Sequence, residues 1–258
     1  MDLLKTNKRR SAISTTLYIT LNIALAVAVL VVVQSVATLW AALLLVLLSK
    51  WRVLAVRPRY WLANIQANMI DLIVGVGIVV LLFGATGHFV VQILLTMLYI
   101  GWLLFVKPRS GHRAVSLQAA IAIFLGVTAL FMVSYAAPAS IVVLGMALIG
   151  YTAARHVFSS YHESHILLLS LVFGFVFAEI GWLCYHWAFA YGISEFGTIK
   201  IPQAAVIALG LSFVAERGYV SLRKNGSIIP SDVILPILLT GSVIALLFLL
   251  FNEASISI

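Results

Sequence analysis

The chain has 258 residues, 63% of them hydrophobic and 9% charged, with a formal net charge of +8; soluble domains carry about 25% charged residues. The apolar excess is too large for the core of a soluble domain, and it comes as repeated stretches near the roughly 20 residues a helix needs to cross a bilayer. A lone cysteine, Cys184, excludes an intrachain disulfide and a Cys-rich metal site.

In chain order, the basic start MDLLKTNKRR precedes an apolar run from Thr15 to Val33. That run is longer than the hydrophobic region of a cleaved signal peptide, so an uncleaved first span is expected despite Ser35-Val36-Ala37. Eight further spans are predicted, giving nine at about 13–33, 36–56, 69–87, 89–106, 114–134, 140–155, 165–190, 201–216 and 232–251. Short turns join paired spans, as in GATGH (84–88) and AAPAS (136–140). Runs such as VVLLFG (79–84) do not alternate apolar with polar residues, which excludes a membrane β-barrel. The expected fold is therefore all-α, a polytopic helical membrane bundle forming a single transmembrane domain over residues 1–258.

With the amino terminus placed in the cytoplasm, fifteen of the sixteen lysines and arginines fall on the inner side, Lys200 being the exception. The carboxyl-terminal NEASISI then lies outside. Topology accounts for the positive charge, so the expected partners are the lipid bilayer and other membrane helices, with no nucleic acid. The expected location is the bacterial plasma (inner) membrane. Trp51, Tyr60 and Trp61 mark an inner aromatic belt, and Tyr185, Trp187 and Tyr191 an outer one. LAVRPR (54–59) and LFVKPR (104–109) repeat the pattern L-x-V-[KR]-P-R at the inner ends of returning spans, where proline stops a helix.

Few polar residues enter the spans. Glu179, near the midpoint of the seventh, is the deepest acid, and a charge at a helix centre costs roughly 2.5 to 3.5 kcal/mol. No lysine or arginine shares its depth, so protonation or hydrogen bonds from Asn22 on the first span and Gln92 on the fourth are expected to satisfy it. Trp182 and His186 follow at three and seven residues, placing Glu179, Trp182 and His186 on one face. Such a stripe either ties helices together or passes a proton or cation.

At the inner end of the third span, Asn64, Asn68, Asp71 and Gly75 share a face that can line a cytoplasmic vestibule. Asp71 directly precedes LIVGVGIVVLLF, so capping a helix start is the expectation preferred to a vestibule. Gly145, Ala147, Gly150 and Ala153 on the sixth span mark close helix contacts.

The inner loops carry a pattern of basic and histidine residues: Lys50, Arg57 and Pro58, then RSGH (109–112), then Arg155 with His162. It resembles a degenerate signature of the type 2 phosphatidic acid phosphatases, which implies phosphate held by the basic residues and attack by the last histidine. The departures weigh against it. Ala154 replaces a serine, six residues rather than five separate Arg155 from His162, and Ile166 stands where an orienting aspartate belongs. The loop RHVFSSYHESH also brings His156, His162, Glu163 and His165 together, but without HExxH spacing. No catalytic residue, metal or cofactor is assigned.

Glu179-x-x-Trp182 and YVSLRKNG (219–226) resemble a family of uncharacterised bacterial polytopic membrane proteins of unknown function, over about the last third of the chain. The resemblance implies the architecture and no activity. The function expected from the even apolar coat is a non-catalytic scaffold or assembly partner within the bilayer. A small proton- or cation-coupled transporter using Glu179 is the alternative, and a phosphatase-like enzyme a second one.

Overall fold

The computed structural model describes residues 2–36, 38–134, 136–187, 190–192 and 200–250. NEASISI, and with it the predicted exterior carboxyl terminus, lies outside the described residues. Nine α-helices account for nearly all of the described chain, and eight helical stretches are long and apolar enough to cross a bilayer. No composition break or linker marks a boundary, yet backbone contacts fall into two compact units, one reaching to Ser110 and one starting at Gly111.

The first unit contains α1 (Asp2–Ser35), α2 (Leu39–Ser49), α3 (Trp61–Gly84) and α4 (Phe89–Gly101). α3 is its core, packed by α1, α2 and α4, and Val74, Val79 and Leu82 are fully enclosed. The second predicted span departs from expectation. Only Leu39–Ser49 is helical, about 16 Å at 1.5 Å per residue, and a 3-10 turn at Trp51–Val53 continues it. The helix stops where Lys50 turns its ammonium group onto Asp71, and the basic residues and Pro58 that follow do not resume it. α3 accordingly starts earlier than predicted, just after a 3-10 turn opened by Pro58.

α4 runs on into a π-helical turn at Trp102–Val106. Both L-x-V-[KR]-P-R segments thus sit where a returning stretch ends, one after the 3-10 turn and one closing the π turn. Their basic residues diverge, because Lys107 reaches Asp71 whereas Arg57 does not.

The second unit contains α5 (His112–Val133), α6 (Ala139–Ser160), α7 (Ile166–Trp187), α8 (Gln203–Asn225) and α9 (Pro230–Leu250). A small antiparallel ribbon of β1 (Ala190–Gly192) and β2 (Lys200–Pro202) precedes α8. Prolines 138, 202 and 230 stand at helix starts, where a missing N–H costs nothing, and Gly226 ends α8 in the left-handed conformation at φ +73°.

α6 and α7 form the most extensive helix pair. Glycines make the approach possible: a Cβ on Gly174 would stand 3.0 Å from the Ala147 carbonyl oxygen, and one on Gly181 would stand 2.9 Å from Met146 Cβ. Phe177, 1% exposed, lies over Gly150. When lipid surrounds helices, such close backbone approach replaces the hydrophobic drive that packs soluble bundles.

Candidate functional site

The most concentrated buried charge lies in the first unit. Asp71 is 6% exposed, about three turns into α3 rather than at its start, so it caps nothing. Its Oδ2 accepts from Lys50 Nζ and, at 2.7 Å, from Lys107 Nζ, and its Oδ1 accepts from Trp102 Nε1 at 3.0 Å. The π turn matters here. It holds Trp102 and Lys107, which follow α4, beside the same carboxylate. Tyr99, one turn earlier, is fully buried, and its hydroxyl is the single described buried side-chain atom lacking a hydrogen-bond partner. It stands over Gly75, where a Cβ would come within 3.4 Å of the oxygen.

The other predicted vestibule residues are occupied locally. Asn64 Nδ2 donates to the Val53 carbonyl at 2.8 Å, and Asn68 Nδ2 to the Asn64 carbonyl at 2.8 Å. At the opposite end of this unit, Gln92 accepts from Gln34 and donates to the Leu82 carbonyl at 3.1 Å. Asn22 donates to the Tyr18 carbonyl one turn back. Both amides expected to serve Glu179 therefore have their own partners within the first unit.

In the second unit a polar cluster gathers where α5 begins and α6 and α8 end. His112 stacks on Tyr161 at 4.4 Å and shares a hydrogen bond with Ser160. α6 ends in a Schellman motif: the His162 N–H bonds the Ser159 carbonyl and the Glu163 N–H bonds the Phe158 carbonyl. His162 takes the left-handed position at φ 51°, which glycine ordinarily fills. The turn presents Glu163 to α8, where Tyr219 Oη donates at 2.7 Å and Arg223 at 3.2 Å.

These hydrogen bonds, the Tyr219 hydroxyl first, then the Ser164 N–H, with Arg223 adding charge, hold the Glu163 carboxyl below its usual range. A depressed carboxylate contributes stability that is complete above its ordinary value of 4.5 and is lost as the pH falls through the lowered one. Hydrogen-exchange protection of the His162 and Glu163 amides is therefore expected to fall several-fold between about pH 6 and about pH 3. Glu163→Gln should show the low value throughout; flat protection in the native chain would remove the carboxylate as the cause.

The residues of the phosphatase-like pattern have other occupations. Lys50 is engaged by Asp71, Arg155 donates to Tyr151 Oη at 3.4 Å, and His162 serves the turn backbone. His156 Nε2 donates to Gln118 Oε1 at 2.8 Å. Among the described residues no three His, Cys, Asp or Glu side chains converge.

Glu179, Trp182 and His186 do share one face of α7, with the two rings in edge contact at 4.9 Å. That face points outward. Glu179 is exposed, Trp182 is 46% exposed, and Phe175 and Leu183 beside them are exposed as well. Glu179 makes no hydrogen bond or ion pair among the described residues. The mid-helix position was legible from the sequence, but rotation about the helix axis decides partners, and it turns this carboxyl away from the core of its unit.

Comparison with protein-family models, curated proteins and solved structures returns no match.

Proposed function

We propose that this chain is an integral membrane protein working as a non-catalytic scaffold, with the outward face of α7 docking a transmembrane helix that offers a hydrogen-bond donor to Glu179. The supporting observation is the exposure of that carboxyl at mid-helix among Phe175, Trp182 and Leu183. In hydrocarbon an unpaired acid there is costly, and a partner donor relieves the cost.

The topology that goes with this reading has nine crossings, the amino terminus inside and the carboxyl terminus outside, in a bacterial plasma membrane. The short α2 is compatible with a crossing. It starts near the end where Gln34 meets Gln92, and it finishes with Lys50 at the Asp71 carboxylate that Lys107, following α4, also reaches.

The test is site-specific photocross-linking in native membranes. A benzophenone side chain at Phe175 should capture one discrete polypeptide, whereas the same probe at Leu144, 70% exposed on α6, should not. Interhelical hydrogen bonds are worth about 0.6 to 1.7 kcal/mol, so Glu179→Leu should lower the yield by about 3- to 20-fold. Equal capture at both positions, or capture indifferent to Glu179→Leu, overturns the docking role. A proteoliposome proton flux abolished by Glu179→Gln would put the carrier reading in its place.

A further inference from the structure

Within the second unit, residues of α5, α6, α7, α8 and α9 line a half-open cavity of about 700 Å³, inside the range of about 300 to 1,000 Å³ typical of small-molecule sites. Its lining changes character along its length. At one end stand Arg113, Ser116, Glu216 and Arg217; away from them the walls are Ile123, Phe173, Leu209, Val243 and Ile244. From Val206 to Arg217, both on the wall, α8 rises about 16 Å, of which the apolar stretch from Val206 to Phe213 takes about 10 Å, room for roughly the first eight carbons of an extended tail.

The hydroxyls of the apolar part ask nothing of a ligand. Thr240 donates to the Gly210 carbonyl at 3.2 Å, and Ser212 to the Ala208 carbonyl at 2.6 Å. The polar end is not balanced in the same way. Glu216 accepts from Ser116 at 3.1 Å and lies 3.6 Å from Arg217 Nε, so the lining carries one carboxylate, already engaged, and two guanidinium groups. Arg113 is exposed and has no hydrogen bond or ion pair among the described residues. Tyr219, also on the wall, has its hydroxyl committed to Glu163.

We infer that this cavity is a binding site for an anionic amphiphile, with one hydrocarbon tail among Ile123, Leu209 and Val243 and an oxyanion headgroup held by Arg113 and Arg217. Guanidinium groups suit this headgroup because their paired N–H donors match phosphate and carboxylate oxygens. The tail wall repels water, and the headgroup supplies the negative charge that Arg113 lacks. The site is separate from the α7 face and does not depend on the docking role.

The test uses the full chain in phosphatidylcholine nanodiscs with a diazirine-tailed lysophosphatidate, mapping the labelled peptides by mass spectrometry. Label is expected on the α5, α8 and α9 segments that carry Ile123, Leu209 and Val243. Unlabelled palmitoyl lysophosphatidate or palmitate should displace it at concentrations at least about tenfold lower than lysophosphatidylcholine does, since charge-assisted hydrogen bonds contribute that much. Glycerol phosphate, a headgroup without a tail, should not displace it.

Arg113→Gln should raise the displacing concentration of lysophosphatidate about tenfold and leave that of lysophosphatidylcholine unchanged. Arg217→Gln is the second variant should the first fail to fold. Val243→Trp, which fills the tail region, should abolish labelling while the helical circular dichroism persists. Equal displacement by the zwitterion, displacement by glycerol phosphate alone, or undiminished labelling of a folded Val243→Trp chain would each overturn the assignment.

Discussion

Asp71→Ala is expected to destabilise the protein by about 3 to 5 kcal/mol, the cost of removing one partner from a buried ion pair. Three donors converge on this carboxylate: the Lys50 and Lys107 ammonium groups, whose side chains are 14% and 34% exposed, and the Trp102 indole N–H. Removing the acid leaves two like charges side by side and takes from the buried Lys50 ammonium the carboxylate it donates to. Removing a lysine is milder. After Lys107→Met the carboxylate keeps Lys50 and Trp102, and the more exposed lysine contributes less, so a loss of about 1 kcal/mol is expected. Replacing the ion pair by apolar groups, as in Asp71→Leu with Lys50→Met, should recover part of the Asp71→Ala loss, because the more buried ammonium is removed together with its carboxylate. Denaturant unfolding in mixed micelles, followed by circular dichroism, ranks the variants. Asp71→Ala within about 0.5 kcal/mol of the native chain would mean that water already solvates the cluster.

How much of this was legible in the sequence depends on the range over which each feature is encoded. Apolar runs encode helices locally, so all nine predicted stretches contain one. The short α2 escaped because V-L-A-V (53–56) continues the apolar run past Lys50, while the interaction that ends the helix comes from Asp71, 21 residues on. The helical spacing of Asn64, Asn68, Asp71 and Gly75 already pointed to the early start of α3, but the apolar run that set the predicted bound begins only at Met69, and the asparagine amides are satisfied by carbonyl partners instead of by burial. The Asp71 cluster joins residues 21, 31 and 36 apart across turns, which no periodicity records. A deep acid flanked by lysines at two span ends was the available hint.

The outward rotation of Glu179 was readable in principle. Gly174 and Gly181 lie seven residues apart on one face of α7, and at 100° per residue Glu179 is about 150° from both. Small residues mark the side of a membrane helix that packs closely, so they assign the opposite side to Glu179. Of the small residues read on α6, Gly150 faces Phe177 of α7 whereas Gly145 faces Leu130 of α5, so they mark close contacts on two sides of the helix. The cavity had no comparable signature, since its lining is drawn from five helices and most of it is ordinary apolar sequence.

The packing of α6 on α7 sets the second large expectation. A Cβ at Gly150 would stand 2.6 Å from Phe177 Cβ, a side-chain root that moves only if α7 moves, and the Gly174 contact is to α6 backbone. Gly150→Leu should therefore cost about 3 kcal/mol, the upper part of the overpacking range. Gly218→Ala on α8, where a Cβ meets nothing within 4 Å, should instead stabilise by about 0.5 to 1 kcal/mol through helix propensity. The decisive variant is the pair. Phe177→Gly alone, which also removes the Cβ that a Gly150 side chain would meet, leaves a void and a helical glycine that together cost about 4 to 6 kcal/mol. With Gly150→Leu the new side chain occupies that void, so the double variant should be more stable than the sum of the single losses by at least about 1 kcal/mol. Unfolding of the four chains under one set of conditions closes the cycle. Strict additivity would show that the two substituted side chains do not meet, and the close α6–α7 approach through Gly150 would have to be abandoned.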